Sequence, residues 1–260
     1  TNLNTFGALA IYLDQTPALA LDLNATCDDL QEALDTTLAG EDAQPYLDAL
    51  DALRNAAQAH QEEIAAINAQ YQDALDEKAD QQTLDEIRER GRALNAKTLD
   101  AFRFVQEQFI GIISTSDIVI KHVAYQNNVD VIEGVIAALE KGVLSNEEGS
   151  GALDLAWMIN GGAEYGYYSF STETNAASLA TLQEESNPGN LFWGTDKGSV
   201  LAQTYPATVS LLEKAESEDG DFAEEIAVYA KEQAQQERYL QEMIRQETDA
   251  MQELTQMLGA

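Results

Sequence analysis

Residues 221–258 read DFAEEIAVYAKEQAQQERYLQEMIRQETDAMQELTQML. Within this run Phe222, Ile226, Tyr229, Gln233, Gln236, Leu240, Met243, Glu247, Ala250, Leu254 and Met257 recur at alternating intervals of four and three. That is the near-heptad period of one face of a helix. No Gly or Pro interrupts the run, Ala, Leu, Gln and Glu dominate it, and Asp221 with Glu224 has the spacing of a capping box. A helix over 221–258 would be roughly 57 Å long at 1.5 Å per residue.

The middle of the chain repeats the pattern. Leu99, Phe102, Gln106, Phe109, Ile113, Ile120 and Val123 keep near-heptad spacing. Only four prolines occur: Pro17, Pro45, Pro188 and Pro206. Thr16-Pro17 reads as an N-cap followed by proline at the first helical position, and Pro45 suits the first turn of a helix opening near Asp42. Thr83 with Glu86, and Ser145 with Glu148, are further capping-box pairs. The spacing predicts helices at about 3–14, 17–38, 43–79, 82–126, 128–141, 146–160, 172–186, 199–215 and 221–258. No strand-like alternation is apparent. The expected fold is all-α: an elongated antiparallel bundle of long helices with an irregular, aromatic-rich insert at 143–198. The chain reads as one helical domain over 1–260, with sub-bundles 1–142 and 199–260 around that insert.

Charge narrows the function. The 260 residues carry 46 Asp plus Glu against 14 Lys plus Arg, a net charge of -32. A general nucleic-acid binder needs a basic face, and an anionic membrane surface attracts basic segments, so both partners are excluded. The charge is uneven: residues 1–80 are net -14, 81–125 net zero, 126–218 net -11 and 219–260 net -7. The neutral stretch is expected to lie centrally, with Arg88, Arg90, Arg92 and Arg103 facing acidic neighbours.

One cysteine, Cys27, and two histidines, His60 and His122, leave little for disulfide, thiolate or imidazole chemistry. Di-iron bundles need Glu-x-x-His, but the residues three before His60 and His122 are Ala57 and Val119. His60 precedes Glu63 by three, a pairing common on solvated helix faces. His122 is expected to be partly buried and hydrogen-bonded. The acidic run Glu216–Asp221 fails as a calcium loop: with Gly220 at position 6, positions 1 and 12 are Ala215 and Ile226. The glycine-containing runs 149–151 and 194–198 follow no strand and lack Walker A spacing. No catalytic residue, metal site or cofactor is therefore expected.

The segment 143–198 gathers Trp157, Tyr165, Tyr167, Tyr168, Phe170, Phe192 and Trp193 among glycines. Tyr and Trp faces attract cations and stack on planar or sugar-like ligands. The expected ligand-binding residues are Asn160, Glu164, Tyr165, Tyr168 and Trp193, and the ligand small and polar or cationic. The competing reading makes these aromatics a small second core.

The turn Leu38-Ala39-Gly40-Glu41-Asp42, followed by the leucine spacing of Tyr46 to Leu53, resembles the inter-helix turn of helical-bundle sensor domains of bacterial chemoreceptors and histidine kinases. Thr16-Pro17-Ala18-Leu19-Ala20 is similar to a segment of the longer multi-helix sensors of that class. The resemblance covers about residues 16–110 and rests on pattern; the aromatic insert departs from it. It implies a non-enzymatic, extracytoplasmic (periplasmic or cell-surface) bacterial sensor or ligand-binding domain for signal transduction, excised from a membrane-anchored protein. A homodimer is compatible with it. The chain opens on Thr1 with no signal-peptide pattern and has no run long and apolar enough for a transmembrane helix. The alternative is a secreted or lipid-anchored surface protein that binds a macromolecular partner; an enzyme using carboxylates near Glu164 comes third. Dense surface carboxylate also suits a saline habitat.

Overall fold

The computed structural model describes residues 12, 15–112, 118–159, 195–217 and 220–259. The chain divides into two compact units. The first comprises residues 1–33, 41–109 and 245–260, the second 34–40 and 110–244. The fold is all-α. Among the described residues its only strands are two three-residue segments.

The first unit is organised by two long helices, α3 (Ala43–Asp76) and α4 (Gln81–Gln108), preceded by α1 (Asn24–Ala33). On α3 the residues Tyr46, Leu50, Leu53, Ala57, His60, Ile64, Ile67, Tyr71 and Ala74 are buried; on α4, Ile87, Gly91, Leu94, Thr98, Ala101 and Val105. Both sets keep strict alternation of threes and fours, the seam of an antiparallel coiled-coil hairpin. The hairpin turns where Lys78 takes a left-handed φ of 57° and Ala79 N–H reaches back to Ala74 O at 2.9 Å. Asp80, not Thr83, then caps α4, its carboxylate accepting from the Thr83 N–H at 2.8 Å.

A short strap crosses this hairpin in place of the helix expected from Pro17. Ala18 N–H donates to Asn68 Oδ1 and Asn68 Nδ2 donates to Ala18 O, both at 2.9 Å. Leu19 N–H donates to Asn95 Oδ1 at 2.6 Å, and Asn95 Nδ2 to Pro17 O at 2.9 Å. The backbone groups that a helix would have paired internally are taken by two asparagines, one on each helix of the hairpin, so helix formation waits until Asn24. Thr16 caps nothing forward; its hydroxyl donates back to Tyr12 O at 2.6 Å. Gly91 makes the close approach feasible: a Cβ there would lie 2.5 Å from Pro17 O.

The second unit starts with α2 (Thr36–Ala39), capped by the Asp35 carboxylate on Thr37 and Leu38 N–H at 2.7 and 3.1 Å. Gly40 ends it with φ 58°. The single helix expected over 82–126 stops at Phe109. Beyond it β1 (Ile110–Ile112) pairs antiparallel with β2 (Ile118–Ile120), Ile110 opposite Ile120 and Ile112 opposite Ile118. Four isoleucines and a valine in these six positions favour extended backbone, which heptad counting overlooked. Helix α5 (Lys121–Glu140) follows, so the expected break at 127 is absent.

The helix expected from 146 starts later, as α6 (Ala152–Ile159). Ser145 Oγ and the N–H groups of Asn146 and Gly151 all donate to the Asp154 carboxylate, at 2.9, 3.2 and 3.1 Å, and hold 145–151 as a loop. Helices α7 (Thr195–Ser217) and α8 (Ala223–Gly259) complete the chain. Residues of α8 up to Ile244 belong to the second unit and those from Arg245 to the first. The second core gathers Ile132, Val135, Leu139, Ala152, Ala156, Leu211 and Tyr229. Along α8 Thr248 and Ala250 are buried, and so is a stripe of Glu225, Tyr229, Glu232, Gln236, Leu240, Ile244, Glu247, Met251, Leu254 and Leu258. Their period is that of a straight helix, so Ile226, Gln233, Met243 and Met257 of the heptad reading fall half-buried on its flank. The expected helices 3–14 and 172–186 lie outside the described residues, apart from Tyr12. Among the described residues no helix is long and apolar enough to cross a membrane.

Candidate ligand groove

On the outer side of the α3–α4 seam, in the first unit, the two helices leave a groove of about 430 Å³. Its floor is Ile67 and Leu94, both buried. Alanines at 66 and 93, exposed and too short to fill the space, make the concavity. Antiparallel pairing sets Gln70 and Arg90 at one end and Glu63 and Lys97 at the other. The volume lies within the ~300–1,000 Å³ of ligand pockets.

The cations of α4 fall into two groups. Arg88, Arg92 and Arg103 each pair with the acid three residues earlier on the same helix: Asp85 at 3.3 Å, Glu89 at 2.7 Å and Asp100 at 2.7 Å. Arg88 also lies over the Tyr71 ring, 5.2 Å from its centroid. Three of the four arginines expected to face acidic neighbours thus do so, through local i,i+3 geometry on their own helix. Arg90 and Lys97 make no ion pair with any described carboxylate. Arg90 instead reaches across the groove, its Nη2 donating to Gln70 Oε1 at 2.8 Å.

Beneath the Glu63–Lys97 end sits His60. It is buried, not on the solvated face that its spacing to Glu63 suggested, because position 60 falls on the heptad seam. The Thr98 hydroxyl donates to Leu94 O at 2.9 Å, so it accepts from His60 Nε2 at 2.8 Å. The imidazole then carries its proton on Nε2, and buried Nδ1 is a bare acceptor without a hydrogen-bond partner. Burial, then the charge of Lys97, lower the His60 pKa against the opposing pull of Glu63. The ring is neutral at pH 7.

A second polar assembly, in the second unit, was missed by the sequence reading. The Glu225 carboxylate, buried on α8, takes Ser210 Oγ at 2.6 Å and Lys214 Nζ at 2.8 Å. Burial opposes its ionisation, but those hydrogen bonds outweigh it and hold the pKa below the usual carboxylate range. Tyr229 OH bonds Thr208 Oγ1 at 2.8 Å, and burial pushes the tyrosine pKa up to about 12. Further along α8, Glu232 accepts from Gln236 Nε2 at 2.7 Å, and Gln236 Oε1 accepts from Asn128 at 3.0 Å. Burial raises the Glu232 pKa. In the first unit Tyr46 OH donates to the buried Glu247 at 3.2 Å. The signal was present: Gln236 and Glu247 occupy seam positions in the sequence, where polar side chains must find partners.

The expected site residues Asn160, Glu164, Tyr165, Tyr168 and Trp193 all lie outside the described residues. Of the seven clustered aromatics, only Trp157 falls on a described element, α6. Among the described residues no group of three His, Cys, Asp or Glu is arranged to hold a metal ion. Cys27 is buried, and burial pushes its thiol up to about 11, so it is inert as a nucleophile. Comparison with models of protein families, with curated proteins and with solved structures gives no match to this chain.

Proposed function

We propose that this chain is a non-enzymatic, extracytoplasmic ligand-binding domain of the helical sensor type. The observation that supports ligand binding is the α3–α4 groove: an apolar floor with Arg90 and Lys97 at its ends, neither in an ion pair, in a chain of net charge -32. Carboxylates are the commonest polar partner such a sequence offers, and three arginines of the same helix have taken one. Two cations kept from them beside an open concavity are suited to a ligand. The sensor assignment and the extracytoplasmic location rest on the resemblance of residues 16–110.

A thermal-shift screen of organic acids, amines and neutral polar molecules tests the reading. Support is a saturable rise in melting temperature by at least one compound, lost in Ala93→Trp, which fills the groove. A screen without any saturable shift overturns it, and turnover of a bound compound would overturn its non-enzymatic part. Labelling of the chain on intact source cells by an impermeant amine reagent tests the location; labelling only after lysis counts against it.

A further inference from the structure

We infer that the groove selects small organic carboxylates of single negative charge, with the carboxylate held by Arg90 and Gln70. The inference rests on the ligand-binding reading and adds the chemistry of the ligand. At one end Lys97 and Glu63, which are not ion-paired, carry opposite charges that sum to zero. At the other end Arg90 is hydrogen-bonded to Gln70, and no acid lines the groove there. The net positive charge of the lining is thus concentrated at the Arg90 end.

Gln70 also sets the geometry. Its Oε1 takes one Nη2 proton of Arg90, which anchors the guanidinium while leaving most of its five N–H donors open. The carboxamide nitrogen of Gln70 is a further donor at the same end. A planar carboxylate matches a guanidinium fork in two parallel hydrogen bonds, which a cation or a neutral hydroxyl cannot reproduce. The hydrocarbon body then lies between Ala66 and Ala93 on Ile67 and Leu94. Arg90 and Lys97 are seven residues apart on α4, about 10 Å along the axis, which suits a body of some five or six carbons.

Hexanoate and hexylammonium, equal in body and opposite in charge, are the probes. The full chain, labelled with ¹⁵N, is titrated with each at about 0.15 M salt, where the field of the whole protein is screened beyond ~8 Å. Hexanoate is expected to move the amides of Ala66, Ile67, Ala93 and Leu94 along one saturable isotherm, with hexylammonium leaving them in place. Arg90→Gln is expected to weaken hexanoate at least about tenfold, the usual scale for a hydrogen bond to a charged group. Arg92→Gln, on the same helix but outside the groove, should leave it unchanged. Arg90 is exposed, so its variant keeps the seam intact. Equal affinity in Arg90→Gln, or hexylammonium binding to the same amides as tightly, overturns the carboxylate assignment while ligand binding stands. Groove amides that respond to neither probe overturn it too; the ligand-binding reading then falls only if the wider screen is also empty.

Discussion

Replacing Gly91 by alanine sets two effects of opposite sign against each other, and their magnitudes decide the outcome. Within a helix, Gly→Ala stabilises by up to about 1 kcal/mol. Here the new Cβ would sit 2.5 Å from Pro17 O and 2.7 Å from Pro17 C. Both are backbone atoms, so the strap itself must retreat. Four hydrogen bonds to Asn68 and Asn95 hold it there, each worth about 1 kcal/mol net. Ala18, the fully buried residue of the strap, adds about 0.8 kcal/mol for a methyl group returned to water. Allowing for partial relaxation, the expected net loss is about 2–3 kcal/mol, or about 4–6 °C in melting temperature for a chain of this size. Urea denaturation followed by far-ultraviolet circular dichroism measures it. Gly134→Ala is the control: its Cβ would meet only the mobile end of Leu155, at 2.9 Å, and that variant should be neutral or slightly stabilised. The cost at Gly91 should also shrink when Asn68 and Asn95 are both alanine, because the strap is then already loose. A Gly91→Ala protein more stable than its parent would mean that the strap does not pack on α4.

Glu232→Gln should raise the melting temperature at pH 8 and converge with the parent near pH 4. Burial raises the folded pKa of Glu232, so the parent loses stability as pH climbs through the range between its unfolded and folded values; a gap that persists at pH 4 would contradict this. Tyr229→Phe should cost about 1 kcal/mol by chemical denaturation, since Thr208 keeps its bond to Thr204 O and only one hydrogen bond is lost; a loss beyond about 3 kcal/mol would show a larger network. Raising NaCl from 10 to 500 mM should raise the melting temperature of the whole chain, because the exposed i,i+3 pairs of α4 are worth only ~0.3–0.5 kcal/mol each and cannot offset a charge of -32; a flat profile would mean that the carboxylates are compensated locally.

The helical class was legible because periodicity and composition agree along α3, α4 and α8. What misled was the assumption that every three-four interval means helix. Phe109 and Ile120 fit a heptad on paper, yet the β-branched segments 110–112 and 118–120 pair as a ribbon. A heptad counts where apolar residues fall and is blind to backbone preference, which those isoleucines carry. The Pro17 and Ser145 starts failed for a different reason. A local cap competes with partners beyond its own turn: Asn68 and Asn95, 50 and 76 residues away, take the strap, and Asp154, eight residues past Asn146, takes the loop. No window of a few residues contains that competition.

The groove was not legible. The sequence reading put the ligand at 143–198 and took 81–125, the neutral stretch of an acidic chain, as a structural centre. The next step, separating paired cations from unpaired ones, fails on sequence alone. Spacing offers Glu86 to Arg90 and Asp100 to Lys97 as readily as it offers Asp85 to Arg88. In the structure Glu86 is taken by Gln82 and Asp100 by Arg103, and Arg90 swings to Gln70 on the other helix. Each acid can satisfy only a few donors, and which ones it takes depends on side-chain directions that a spacing rule does not contain. The alanines tell the same story from the apolar side. Ala66 and Ala93 are two of many alanines in the sequence and mean nothing singly. They become a cavity only because the turn at Lys78 sets the register that brings both to the same level of the hairpin. A groove on a coiled-coil hairpin is therefore a property of register, and register is fixed by the seam and the turn together.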